Sequence, residues 1–223
     1  VTTVARSYDE FDFRQIVHEL DYFCSVDMSA VYLDILKDRL YTFRADSPAR
    51  RASQTVLHEV LVALTKLMAP ILSFTAEEIW RMLPRTKGSG EDTLSVHLAA
   101  LPEVDPQWDD VALKERWERL LAYREEVLGL LEGTRQKKEV GSSLEARVQL
   151  LAQPHAYEFL KPYEADLPSF FIVSQVELVR DETAASDGAI VVSRAKGKKC
   201  ERCWNYRAAV GTFLRAAFGV DAH

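Results

Sequence analysis

Two cysteines, Cys200 and Cys203, carry the spacing in this chain that most directly suggests chemistry. A two-residue knuckle lets both sulfurs reach one tetrahedral ion at about 2.3 Å, and a structural Zn²⁺ site needs four such donors. The pair therefore supplies half a site. Two free thiols, weak metal binding, or recruitment of His223 are each compatible with these letters. Arg202 and Trp204 stand beside the thiols, and a guanidinium next to an indole offers an unpaired base a stacking face worth about 1–3 kcal/mol. Earlier in the chain, Lys37, Arg39 and Arg44 interleave with Tyr41 and Phe43, and Arg50 and Arg51 follow closely. Fixed cations suit phosphates, and exposed rings suit bases. Lys137 and Lys138 precede Gly141, Ser142 and Ser143, a turn whose amides and lysines suit a phosphate oxygen. Each group also has a plainer reading. Lys37 and Arg39 lie where positive charge suits a helix C-terminus. Arg50 and Arg51 suit intramolecular carboxylates, and the 137–143 stretch suits an ordinary helix end followed by a polar turn.

The elements that must position these residues come from a chain of 223 residues, 48% hydrophobic and 28% charged, enough to bury a core. Its net charge of −6 does not exclude a nucleic-acid partner, because binding depends on where cations cluster. Acids dominate the first segment, whereas Arg194, Lys196, Lys198, Lys199, Arg202 and Arg207 crowd the tail. No apolar run approaches a membrane span or a signal peptide. Three cysteines are too few and too uneven for a secreted disulfide framework, which points to a reducing cytoplasm, with Cys24 as a small core residue. Beginning at Val1 rather than Met, the chain reads as part of a longer polypeptide.

Helical spacing of Tyr8, Phe11, Ile16 or Val17, Leu20 and Phe23 predicts one uninterrupted amphipathic helix, and a second follows Ser25 through Leu40. Ser47 and Pro48 mark a third start, cap and first helical residue. The run Val56, Val60, Leu61, Leu64, Leu67 and Met68 should stop near Pro70. Thr75 with Glu78 reads as a capping box, Phe74 as a staple onto Ile79, and Trp80 and Leu83 as the buried face beyond. Arg85 to Gly90 reads as a surface turn, Ser95 to Leu98 as an extended piece, and Asp109 or Asp110 as the opening of a long helix ending near Lys138 and Gly141. Alternation of Leu144, Ala146, Val148 and Leu150 predicts a half-buried strand. A short helix is expected from Pro154 to Tyr163. Strands are expected at 170–173, 176–179 and 189–192, with a polar loop at 181–188. The fold class is α+β, mostly α. Residues 1–98 form a helical bundle, 99–193 a long helix plus a small α/β subdomain, and 194–223 a truncated zinc-knuckle tail.

The run Met68-Ala-Pro-Ile-Leu-Ser-Phe-Thr-Ala-Glu-Glu-Ile-Trp80 resembles the helical anticodon-binding domain of class I aminoacyl-tRNA synthetases for branched aliphatic amino acids. Phe23-Cys-Ser-Val-Asp-Met-Ser-Ala-Val-Tyr-Leu-Asp-Ile-Leu-Lys-Asp-Arg-Leu-Tyr41 narrows the resemblance to isoleucyl enzymes. Lys199-Cys-Glu-Arg-Cys-Trp204 is similar to the start of the zinc tail of bacterial members, in which a second Cys-x-x-Cys follows that this chain lacks. The resemblance implies a monomeric piece that holds the anticodon arm of tRNA(Ile) and joins a catalytic domain of the same polypeptide, where ATP and Mg²⁺ act. Neither His-x-Gly-His nor Lys-Met-Ser-Lys-Ser, the signatures of that chemistry, occurs here. Alternative readings are a helical protein-protein scaffold, a redox or zinc-sensing module built on Cys200 and Cys203, or the equivalent domain of a valyl or leucyl enzyme.

Overall fold

A computed structural model describes residues 1–84, 93–182 and 189–211. The expected turn at 85–90, most of the loop at 181–188, and His223 lie outside the described residues. Among the described residues no helix is long and apolar enough to cross a membrane. The chain divides into two compact units, Val1–Asp110 and Val111–His223.

The first unit is helical. The helix expected through Asp12 is instead two, α1 (Thr2–Asp9) and α2 (Phe13–Tyr22). Phe11 takes a left-handed φ of 56°, and the Asp12 carboxylate accepts the Gln15 amide at 3.0 Å, so the aspartate caps a new helix rather than continuing the old one. No break occurs at Ser25. The chain winds on through π-helical turns at Phe23–Leu33 into α3 (Asp34–Thr42). None of the π-helical residues is buried, and Cys24 is only half-covered; burial and the nearby Asp21 push its thiol pKa up.

Helix α4 (Pro48–Met68) starts where expected, with Pro48 at its first position, although the Ser47 hydroxyl accepts no cap bond. Its buried positions are Ser53, Val62, Thr65 and Leu67, whereas Val56 and Leu61 are exposed. The buried face is thus rotated from the one expected. Thr65 is accommodated there because its hydroxyl donates to the Leu61 carbonyl at 2.7 Å.

Helix α5 (Ser73–Met82) begins before Thr75, with Leu72 as its cap. The Ile71 and Leu72 amides bond back to Met68, and the Ser73 hydroxyl reaches the Ala69 carbonyl, so the turn closes early. Thr75 therefore caps nothing, and Phe74 is 90% exposed rather than stapled. Trp80 and Leu83 are buried with Val62, Ala69, Ala76 and Val96. Val96 belongs to a 3-10 turn, Val96–Leu98, not an extended piece, because Ser95 caps it by accepting the His97 amide. The segment is also pinned to α5. The Trp80 indole donates to the Thr93 carbonyl at 3.0 Å, and the Glu77 carboxylate accepts from the Ser95 hydroxyl at 2.7 Å and the Val96 amide at 3.1 Å.

The second unit opens with α6 (Val111–Gln136), which buries Leu120, Arg124, Val127 and Leu131 on one stripe. Beyond it Lys138, not Gly141, takes the left-handed conformation that ends the helix, with φ 59°. Strand β1 (Ala146–Ala152) alternates buried and half-buried, while Leu144 falls in a preceding 3-10 turn, Ser143–Glu145. β1 is central in a mixed sheet of order β2-β1-β3, parallel to β2 (Gln175–Arg180) and antiparallel to β3 (Ala189–Arg194). Helix α7 (Pro154–Leu160) lies in the β1–β2 crossover as expected.

The strand expected at 170–173 is instead the end of α8 (Leu167–Phe171), closed by Ile172 at φ 57°. A helical turn lets Phe170 and Phe171 both bury, and the chain reverses as the Val173 amide bonds to the Pro168 carbonyl at 2.9 Å. Arg124, only 4% exposed, donates to the Phe170 carbonyl at 3.1 Å, placing a cation at this helix end.

Candidate nucleic-acid interface

The five early cations lie along α3, in the turn after it and in the first turn of α4. Lys37 lies on the exposed side of α3 with its Nζ 2.6 Å from Asp34, and Arg39, on the same helix, is near Tyr32. Arg44, just past α3, makes a two-point contact with Asp46, at 3.1 and 3.0 Å. Arg50 folds back from the first turn of α4 to donate to the Phe43 carbonyl at 3.0 Å, tying the two helix ends together. Its Nε is buried and has no hydrogen-bond partner among the described residues. Arg51 is exposed beside it. Lys37 and Arg44 thus meet carboxylates, whereas Arg50, for which the plainer reading expects one, meets a backbone carbonyl; the Lys37 and Arg44 pairs are worth about 0–1 kcal/mol. An arriving phosphate competes for them at little cost.

Lys137 and Lys138 are exposed at the end of α6, and Lys138 lines an open groove of about 380 Å³ with Glu132, Arg135, Gln136, Val140 and Gly141. The Gly141 amide, expected to be available to a phosphate, is taken. It donates to the Glu145 carboxylate at 3.0 Å, and Glu145 also lies 3.6 Å from Arg194. The turn is therefore closed on its own carboxylate, leaving the lysine side chains as its cationic feature.

The cysteine knuckle is an ordered hairpin. Strand β4 (Lys198–Lys199) pairs antiparallel with β5 (Tyr206–Arg207), and the turn between them is closed by the Cys200 amide to the Asn205 carbonyl and the Trp204 amide to the Cys200 carbonyl, each 2.9 Å. Gly197 enters it at φ 103°, where a Cβ would stand 2.4 Å from the Arg207 carbonyl carbon. Backbone amides of Cys203 and Arg202, then the Cys203 side chain, face the Cys200 sulfur and hold its thiol pKa down, which favours the thiolate. That is the chemistry of a metal-binding knuckle. Yet among the described residues no group of three or more His, Cys, Asp or Glu side chains converges, so Cys200 and Cys203 fit half of a zinc donor set.

Trp204, at φ 64°, turns its ring outward and is 60% exposed. The cation over that ring is Lys199, its Nζ 5.2 Å from the ring centre. Arg202 is exposed on the same turn. Sequence reasoning paired Trp204 with Arg202 and placed Lys199 only among the cations of the tail. The available signal was the hairpin itself, since antiparallel pairing across Cys-x-x-Cys brings the residue before the first cysteine alongside the residues after the second.

Comparison with known proteins adds a family and relatives. The anticodon-binding domain of tRNA ligase matches residues 1–150. An isoleucine–tRNA ligase of Geobacter sulfurreducens is 46% identical over 215 residues, 93% of this chain and 23% of the relative. One of Syntrophotalea carbinolica is 46% identical with the same coverage, and one of Moorella thermoacetica is 42% identical over 221 residues, 95% of this chain and 23% of the relative. The chain thus spans about a quarter of the length of these curated relatives.

Proposed function

The chain belongs to the family of anticodon-binding domains of tRNA ligases, and from that premise we propose that it holds the anticodon arm of tRNA(Ile) for an isoleucine–tRNA ligase. In this reading the parent ligates isoleucine to tRNA in the cytoplasm, as a monomer. ATP, Mg²⁺ and the bond-making residues belong to parts of the parent outside this chain. Selection here precedes chemistry: a cognate arm gripped at its loop presents the other end of the tRNA to a distant site.

The observation that supports this most is the outward Trp204 ring under Lys199 on a hairpin fixed by its own backbone. A splayed base stacks on such a face, and a nearby ammonium favours the phosphate attached to it. Lys37, Arg39, Arg44, Arg50 and Arg51 supply phosphate contacts on the helical unit, and Lys137 and Lys138 do so on the second, where Arg202 adds a guanidinium beside the stacking ring. Cys200 and Cys203 are the two donors offered to a structural zinc, which would pin the hairpin and supply no reaction chemistry.

The test is a titration of isoleucine anticodon stem-loop RNA into the chain at several salt concentrations. Affinity should fall log-linearly with salt as phosphates are neutralised, and should fall further when the anticodon bases are changed. Binding indifferent to both would reject the proposal.

A further inference from the structure

One short stretch, Ser174-Gln175, ties the knuckle hairpin to the rest of its unit. Ser174 is almost buried at the start of β2. Its hydroxyl donates to the Leu144 carbonyl and accepts the Tyr206 amide at 2.7 Å, bridging the α6–β1 junction and the hairpin. The Gln175 side chain holds the hairpin from two sides. Its Nε2 donates to the Lys196 carbonyl at 2.6 Å and to the Tyr206 carbonyl at 3.2 Å, while its Oε1 accepts the Lys196 amide at 3.1 Å. Lys196 precedes β4 and Tyr206 lies in β5, so one side chain fixes both arms of the hairpin. Both donor hydrogens and the acceptor oxygen of the amide are used, as only an amide allows.

We infer that Gln175 is a positioning residue for RNA recognition: by clamping both arms of the hairpin it sets where the Trp204–Lys199 face stands relative to Lys137 and Lys138. The inference rests on the reading that this face meets RNA. The physical gain is preorganisation, since a ring already ordered before binding loses less freedom when a base stacks on it. Gln175 suits this role better than a purely structural one. Its backbone stays in the β1–β2 ladder opposite Arg147 whatever its side chain, and its side chain is only half-buried. Removing the amide therefore loosens the hairpin while leaving the sheet and its core in place.

The experiment uses the 223-residue chain labelled with fluorotryptophan, with Trp204→Phe to assign the Trp204 fluorine line. In Gln175→Ala the Trp204 line should move toward that of a solvent-averaged indole while the Trp80 and Trp117 lines and the thermal midpoint stay put. Affinity for the isoleucine anticodon stem-loop should fall about three- to tenfold. Gln175→Glu keeps the acceptor for the Lys196 amide but sets a carboxylate against two carbonyls, so it should behave like the alanine variant. In a Trp204→Ala background Gln175→Ala should cost no further affinity, because its effect passes through the ring. An unmoved Trp204 line overturns the inference whether or not RNA binds. So does a moved line with unchanged affinity when Trp204→Ala itself weakens binding. Failure of the wild-type chain to bind the stem-loop rejects the functional reading instead, and the fluorine lines still decide whether Gln175 sets the ring.

Discussion

At the α3–α4 corner, Lys37 and Arg44 each meet a carboxylate on their own stretch of chain, whereas in the knuckle hairpin Lys199 meets an aromatic ring held by backbone hydrogen bonds. Similar residue types are presented by different physical means. The corner offers long, exposed side chains in pairs that exchange readily, so it supplies charge with little fixed position. The hairpin supplies position, since Gly197, Ser174 and Gln175 leave its arms little room to move. In the proposed function, the corner supplies sequence-independent attraction and the hairpin discriminates between bases.

The sharpest way to break that division is Gly197→Ala. Its φ of 103° and a Cβ 2.4 Å from the Arg207 carbonyl carbon leave the hairpin no way to close. Stem-loop affinity should fall at least as far as in Trp204→Ala, and the preference for the isoleucine anticodon should disappear, as read by competition between cognate and altered stem-loops. Next comes Trp204→Ala, which should cost about 1–3 kcal/mol, roughly five- to 150-fold in affinity, with little change in salt dependence. Lys37→Ala or Arg51→Ala should act in the opposite sense. Each lowers affinity equally for cognate and altered loops and flattens the salt slope by about 0.7 to 0.9 for every phosphate left without its cation, measured by titration across salt. If these variants changed base preference instead, the two regions would have exchanged roles.

Smaller effects concern the local chemistry of each region. Amides of Cys203 and Arg202 favour the Cys200 thiolate, while burial disfavours that of Cys24. Alkylation followed by peptide mapping should therefore show Cys200 reacting at lower pH than Cys24. In the helical unit, hydrogen bonds from Ser95, then from Val96 and Arg81, hold the Glu77 carboxyl below its ordinary range. A folded pKa below the unfolded one adds stability that is fully present above the unfolded value, about 4.3, and is lost as pH falls through the folded value. Thermal unfolding of the Glu77→Gln variant should accordingly depend less on pH across that acid window than unfolding of the wild type.

Long-range architecture was legible where period and burial agree. The long helix after Asp110, the β1 alternation and the burial of Trp80 all follow from spacing and size. Boundaries failed where local hydrogen bonds decided the outcome. Asp12 capped a new helix after Phe11 reversed the chain, α5 closed before Thr75, and Phe170-Phe171 formed a helical turn because both rings then reach the core. Among the candidate site residues, the types were readable but their partners were not. Lys199 over Trp204 depends on cross-strand pairing, Glu145 on Gly141 on a carboxylate folding back four residues, and Ser174-Gln175 on contacts about 20 to 30 residues away in sequence. Periodicity carries no information about any of these.

Footprinting of tRNA(Ile) with the wild-type chain and with Trp204→Ala checks whether an anticodon arm is gripped through a fixed ring and loosely paired cations. The wild type should protect the anticodon loop and its stem. In the variant, protection of a loop base should be lost while backbone protection of the stem persists. Protection confined to regions away from the anticodon, or a footprint identical in the two proteins, would contradict this mode of binding.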